Sequence, residues 1–488
     1  MHRLMLARGP FDTILAETGV FNRPELLREL LYYLDDGGHF VLVGDTSALA
    51  EGQAERPLDS LLKNSKRENL PREARDGFAH AVGSLRATDK LLIVQKSGLH
   101  FVPILEDELS ADFARRLGWD WVEVREVEPA RPYEFTSIAT MNMPQYEKRF
   151  RKKGTLPARR IRIYDDVIVA PRQVVTKGVA LLPETFRHYR SAKIHTRRAA
   201  TWVNDRFMRL QEPRVEVVDL PGTYLNLDSE FVHIYGHLVT EVVSRLWAWD
   251  ELKSEFPNLK VLVGLYEGRE ELPPWFIRTL VSYGIPAEDI VAFSGSVRVE
   301  RLIGVTPLFS MPFVAHPKLL DVWARMRDTL AAEVPDGVTT PDRIFVARRT
   351  SVKRNCRQEE ELLAFFRQHG FEIFYPEDHD VSVQALTFKN ASVIAGYGGS
   401  GMLNGIYARP GQQWIVVAPD TYGAMNEYLI CALFGNPIHY FYGPAEIRHP
   451  RGRWSVFAFK SDYDFDLATD GAGLTELLES FVPPSLAL

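Results

Sequence analysis

The stretch 343–417 constrains the fold of this chain more than any other. It reads RIFVARRTSVKRNCRQEEELLAFFRQHGFEIFYPEDHDVSVQALTFKNASVIAGYGGSGMLNGIYARPGQQWIVV, in which short β-branched or aromatic runs (IFVA, FEIF, SVIAG, WIVV) alternate with segments of helical period. Apolar runs of that length, bounded by turn residues and separated by helices, specify the strands of a parallel sheet in an α/β fold. Parallel sheets bind ligands at the carboxyl ends of their strands. Two such ends carry chemistry here. Arg348, Arg349, Lys353 and Arg354 follow the first run, while Tyr397, Gly398, Gly399, Ser400 and Gly401 follow the third and open a helix through Met402 and Asn404. Cations and a helix N-terminus can together hold a diphosphate, and glycines let backbone N–H groups approach phosphate oxygens with no Cβ in the way. Many α/β proteins turn from strand to helix on glycine for purely structural reasons, so it is the basic cluster one strand away that favours an anion site.

A second motif lies upstream, in EFVHIYGHLVTEVVSRLWAWDEL at 230–252. At ~100° per residue, His237, Thr240, Glu241, Ser244 and Arg245 share one helical edge, and Val239, Val242, Val243, Leu246 and Trp249 form the opposite, apolar face. A histidine on such an edge can simply belong to a solvated face. Here it starts the helix just after Tyr235 and Gly236, with a carboxylate four residues on, and that arrangement suits a general base and the group that orients it.

At these two motifs the sequence resembles glycosyltransferase family 61. The matching positions are Ala347, Arg348, Arg349, Arg354, Glu359, Glu360, Glu361, Gly370, Phe371, Glu372, Gln384, the run 391–394, the run 398–404, and Pro410 with Gly411. In the upstream motif they are Tyr235, His237, Leu238, Glu241, Arg245 and Leu246. The resemblance runs over roughly 160–442. It departs from the family at Tyr397, where a histidine is usual, and at Ser400, Gly401 and Met402, which replace Ala-Gly-Leu; no role of that histidine carries over.

The resemblance implies an inverting, metal-independent enzyme of the B-type fold with two Rossmann-like lobes. The expected division is an N-terminal α/β module of unassigned role at 1–132, a linker at 133–157, an acceptor-side lobe at 158–334 and a nucleotide-sugar-binding lobe at 335–488, with the Pro/Gly-containing loop 334–342 as hinge. A transferase of this kind needs a base for the acceptor hydroxyl and a cationic clamp for the departing nucleoside diphosphate. We assign Arg348 and Arg354 to the diphosphate, Arg349 and Lys353 as helpers, and Tyr397, Gly398, Gly399, Ser400, Gly401 and Asn404 to the same donor site. His237 is the expected base, with Glu241 orienting it or acting as base itself. Of two adjacent strand-end arginines, one usually points away from the site. No metal or cofactor is expected, and the partners are a nucleotide-sugar donor and a saccharide or glycoconjugate acceptor. A sugar-nucleotide epimerase of similar architecture and a noncatalytic polysaccharide-assembly protein remain as alternatives.

A net charge of −6 argues against nucleic acid as partner. Only Cys356 and Cys431 occur, in no metal-binding spacing, which fits a reducing cytoplasm. No stretch approaches the ~20 apolar residues of a spanning helix. The segment 146–162 packs eight basic residues and reads either as part of a solvated linker or, over 148–162, as a patch for an anionic membrane. The turn Asp35-Asp36-Gly37-Gly38 before the strand HFVLVGD resembles part of a methyltransferase sheet, but the GxGxG loop such a sheet needs is missing.

Overall fold

The computed structural model describes residues 1–17, 25–45, 77–135, 139–187, 199–210, 216–265, 268–349, 353–451 and 453–481. Two sheets organise them. The C-terminal sheet has six strands in the order Glu372–Phe374, Arg343–Val346, Val393–Tyr397, Gln413–Pro419, Ile438–Gly443 and Ala139–Met141, and every neighbouring pair is parallel. The apolar runs that predicted the sheet are its strands. They are buried because helices cover both faces. Helices Val381–Asn390 and Asn426–Phe434 and the 3₁₀ helix Ser400–Tyr407 pack against one face, and helices Glu359–Gln368 and Leu474–Ser480 against the other. The chain order reverses between Arg343–Val346 and Val393–Tyr397, since the second strand in sequence lies outside the first and the third lies inside it. At such a switch point the two connections leave in opposite directions and a crevice opens beyond the strand ends.

The other large sheet has eleven strands and is mixed. Its parallel part runs Ser296–Val305, Val217–Asn226, Lys260–Gly264 and Ile290–Phe293. Strand Arg159–Ala170 then continues it antiparallel to Ser296–Val305, so this sheet is mixed and not a purely parallel Rossmann sheet. Helix Pro274–Tyr283 begins with proline at its first position and ends at Gly284, whose φ of 108° suits a left-handed cap. Helix Leu319–Ala332 buries Leu319, Val322, Trp323, Met326 and Leu330, a three-and-four spacing that aims one stripe at the core. That core is shared: one apolar cluster contains Leu246 and Val261 from beside the mixed sheet together with Ile394, Ile406 and Trp414 from beside the parallel one.

The expected boundaries at 132 and 157 do not coincide with sheet boundaries. Strands His100–Pro103 and Val122–Glu128, from the expected N-terminal module, belong to the mixed sheet. What remains as a separate sheet is four-stranded, in the order Phe11–Glu17, Leu34–Val43, Leu91–Lys96, Val82–Ala87, with one parallel and two antiparallel pairings. A methyltransferase sheet is mostly parallel, and this one is not. The segment expected as a linker is likewise built into the fold. Arg131–Glu134 pairs with Lys153–Leu156, and between them Ala139–Met141 becomes the edge strand of the parallel sheet. Backbone N–H and C=O groups at a sheet edge gain by pairing, and this excursion supplies the partner.

The basic run in the same segment is largely neutralised. Arg159 pairs with Glu128, Arg160 with Glu126, Lys152 with Glu147 and Lys153 with Glu134. Arg149 donates to the carbonyls of Tyr422 and Asp420 at 3.0 and 2.7 Å, and Arg162 is buried between Glu106 and Glu184. Hydrogen bonds and carboxylates within the fold therefore account for most of the cations expected to meet a membrane. Among the described residues, no helix is long and apolar enough to cross one.

Candidate active site

The upstream motif does not form a regular α-helix. A short α-turn at Tyr235–His237 passes into a π-helical turn at Leu238–Val242, a 3₁₀ stretch at Val243–Ala248 and an α-helix at Trp249–Glu255. π-turns recur at functional sites because they reposition side chains within a helix. The polar edge expected to be solvated is buried: Thr240, Glu241, Ser244 and Arg245 all lie inside. Buried polar groups must be paired, and these are. Glu241 Oε1 accepts from His237 Nδ1 at 3.0 Å and from Arg187 Nε at 2.6 Å, and Arg187 Nη2 lies 3.2 Å from the same His237 nitrogen. Arg245 donates to the carbonyl of Asp228 at 2.6 Å.

The electrostatics of this cluster follow from burial and pairing. Burial alone would raise the Glu241 pKa, but Arg187 and His237 outweigh it and hold the carboxyl well below the usual carboxylate range. Asp228 is fully buried and its carboxyl is pushed up to about 6, against the pull of hydrogen bonds from the backbone of Gln173, Ser229 and Gly264 and of the nearby Arg245. The His237 ring stacks on Phe231, 4.8 Å between centroids, and its side chain is 21% exposed. A carboxylate on Nδ1 favours the tautomer with the proton there, which leaves the Nε2 lone pair to accept one. Among the described residues no hydrogen bond engages Nε2.

The second motif sits at the switch point of the parallel sheet, just beyond strands Arg343–Val346 and Val393–Tyr397. Arg354 is buried, has φ of 54°, and packs its guanidinium 5.0 Å from the Phe459 ring centroid and 5.4 Å from that of Tyr422. Among the described residues its Nε has no hydrogen-bond partner. Arg348 donates to the Arg354 carbonyl and lies 5.4 Å from the Tyr397 ring centroid. Burial, followed by the charges of Arg354, Lys460 and Arg348, lowers the Lys353 pKa, and burial with Arg348 lowers that of Arg354. Like charges gathered in a half-buried place disfavour one another, and an anion among them would relieve both the repulsion and the unpaired Nε.

Arg349 lies apart from this cluster. It pairs with Asp378, sits 4.0 Å from the Tyr375 ring centroid, and is exposed, so of the two strand-end arginines it is the one that points away. Tyr397 is buried edge-on against Phe345, 5.0 Å between centroids; its hydroxyl has no partner among the described residues, and burial raises its pKa. Asn404 is fully buried and its side chain is engaged: it accepts from Tyr235 and donates to Gln384 Oε1 at 2.8 Å and to the Gly401 carbonyl at 3.2 Å. It ties the two motifs together.

The glycine turn is partly committed as well. Gly398 N–H donates to the Val417 carbonyl at 2.9 Å, and Gly399 N–H to Glu427 Oε1 at 3.0 Å. Glu427 also accepts from the Tyr422 hydroxyl at 2.8 Å, and burial raises its pKa. The remaining amides at the helix start, those of Ser400 and Gly401, have no acceptor within the helix. Gly399, at φ 154° and ψ −166°, occupies a region that only glycine adopts readily, and a Cβ there would stand 3.2 Å from Arg354 Nη2.

The two motifs meet at Gly236. A Cβ at that position would stand 2.8 Å from Leu403 Cδ1 and 3.0 Å from Ser400 Oγ, so the residue before His237 lies directly against the glycine turn. Through Ser400 and Gly399 the upstream motif therefore neighbours the Arg354 and Arg348 guanidiniums. Arg187, Lys460 and Glu427 belong to this constellation and were not read from the sequence. Arg187 lies fifty residues before His237 with no local signal. Lys460 ends an aromatic run, and Glu427 was legible only as a lone carboxylate in the apolar helix NEYLICALF.

Residues 235–415 match the family model described as Glycosyltransferase 61. The matched segment is shorter than the resemblance read from the sequence, but it contains both motifs, from Tyr235 through Asn404. None of the curated proteins matches the chain.

Proposed function

We propose, with the glycosyltransferase 61 segment as premise, that the chain transfers a sugar from a nucleotide-sugar donor to a saccharide or glycoconjugate acceptor in the building of a surface polysaccharide. The transfer proceeds with inversion, requires no metal and takes place in the cytoplasm. The observation that carries this reading is the contact of Gly236 with Ser400, which sets the His237–Glu241–Arg187 group beside the Arg348, Lys353, Arg354 and Lys460 cluster.

In the reaction as proposed, the acceptor hydroxyl gives its proton to His237 Nε2 as its oxygen attacks the anomeric carbon. Glu241 accepts the Nδ1–H hydrogen bond and balances the imidazolium that forms, while Arg187 keeps Glu241 ionised. On the opposite face the bond to the diphosphate breaks, and Arg348 and Arg354 receive the negative charge that develops there, supported by the Ser400 and Gly401 amides at the start of the Ser400–Tyr407 helix. Oriented cations in a partly desolvated crevice are effective because they need no reorganisation as the charge appears.

The test is a thermal-shift screen of the purified chain against UDP, GDP, CDP and their sugars, with and without magnesium. One nucleotide should raise the melting temperature equally in both conditions, since a ligand that binds only the folded state stabilises it. No response to any nucleotide in folded protein would remove the donor site, and a response that needs magnesium would remove the metal-independent clamp.

A further inference from the structure

The segment 447–460, IRHPRGRWSVFAFK, is absorbed by neither motif, and its composition is unusual for an exposed stretch. It contains Arg448, Arg451, Arg453 and Lys460 and no acidic residue. Trp454 and Phe457 are 67% and 73% exposed, and Ile447 and Val456 stand out beside them. These side chains are not on a loose loop. His449 contacts the Thr421 carbonyl at 3.1 Å and the Ser455 amide at 3.2 Å, Thr421 Oγ1 donates to the Ala458 carbonyl at 2.8 Å, and Ser455 caps the turn Val456–Phe459. The backbone is pinned from beneath, and Trp454 and Phe457 are held outward.

Arg448 pairs with Asp420, but Arg451, Arg453 and Lys460 are exposed and have no acidic partner among the described residues. The patch also adjoins the Arg354 cluster: Trp454 lies 5.9 Å from Phe459 between ring centroids, and Phe459 is the ring over which Arg354 packs.

We infer that this segment seats the protein on an anionic phospholipid surface, with the mouth of the crevice at the headgroup level. Tryptophan and phenylalanine insert at the boundary between headgroups and acyl chains, and arginine and lysine beside them meet lipid phosphates. Four protruding apolar side chains are too few to fill the ~800 Å² per partner of a stable protein interface, but they suffice to dip into a bilayer boundary. The unpaired cations supply the charge complementarity that selects an anionic surface. The face expected from the sequence, 148–162, has most of its cations tied up within the fold, and the patch at 447–460 does not.

The experiment is co-sedimentation of the full chain with phosphatidylcholine vesicles, with or without phosphatidylglycerol, for the native protein, the variant W454S/F457S and the variant R451S/R453S. The native chain should pellet with phosphatidylglycerol vesicles and stay in solution with phosphatidylcholine alone. At ~1 kcal/mol per surface cation, R451S/R453S should bind on the order of tenfold or more weakly, and added salt should weaken the native protein alike. Because the altered side chains are exposed, both variants should keep the native melting temperature. No pelleting of the native chain, or equal pelleting of native and variants, would overturn the assignment; equal binding to neutral vesicles would overturn its anionic character. Vesicle binding is read without donor, so its failure leaves the nucleotide screen unaffected, and the reverse holds as well.

Discussion

Glu241 and Arg354 are both buried charges, but they are in opposite situations. Glu241 is fully supplied with partners, whereas Arg354 keeps an unpaired Nε and repels Arg348 and Lys353. The first arrangement fixes a group in place, and the second concentrates positive charge. Substitution should separate the two roles. Arg354→Ala should weaken donor binding, seen as a raised donor KM, while His237→Ala should lower kcat by roughly 10²–10⁴ with donor affinity kept, the range expected for a lost general base. Equal donor affinity and equal rate in the two variants would defeat both assignments. Glu241→Gln tests the buried pair through stability. Because the folded-state pKa of Glu241 is depressed, its contribution is fully present above the unfolded carboxyl value of about 4.3 and is lost as pH falls toward the folded value. The variant should be less stable by about 3 kcal/mol near pH 7, since Arg187 loses its carboxylate, and the gap should narrow in acid. Urea unfolding at several pH values measures this, and a gap that does not change with pH would contradict it.

At the scale of elements, Gly236 controls how closely the upstream helix approaches the glycine turn. Gly236→Ala should lower stability by roughly 1–3 kcal/mol and reduce turnover, because the added methyl must displace Leu403 and Ser400. A variant with native melting temperature and native rate would show that the contact is not needed. The parallel strands and their order of chemistry were legible in the sequence, because short apolar runs between helices have few other folds open to them. The upstream helix was legible in its residues but not in its form. A 3.6-residue wheel separated a polar edge from an apolar one and assumed solvent on the polar side, but tertiary packing buried both edges and drew a π-turn through Glu241. Arg187 and Lys460 could not be found by local pattern, since what brings them to the site is the fold and not their neighbours in sequence.

Across the whole molecule, the chain changes sheets more often than composition suggested. Prolines and a run of cations around 133–157 looked like a linker. Yet Arg149, Lys152 and Lys153 meet carbonyls or carboxylates, and Ala139–Met141 lies against Ile438–Gly443, close to three hundred residues away in sequence. Long-range pairing of that kind leaves no periodic trace in a single sequence. It has a mechanical consequence. The polypeptide crosses between the sheets on the way out to Ala139–Met141, again on the way back to Arg159–Ala170, and a third time between Leu319–Ala332 and Arg343–Val346. Two bodies joined by one cord can swivel about any axis through it, but each further cord removes a freedom of rotation. The loop 334–342, expected as a hinge, is one of three cords, and the Tyr235–Asn404 hydrogen bond fastens the bodies again at the crevice. For the transfer proposed above, the expected motion is therefore small sliding at the rim, as in shear motions, and not one sheet swinging clear of the other.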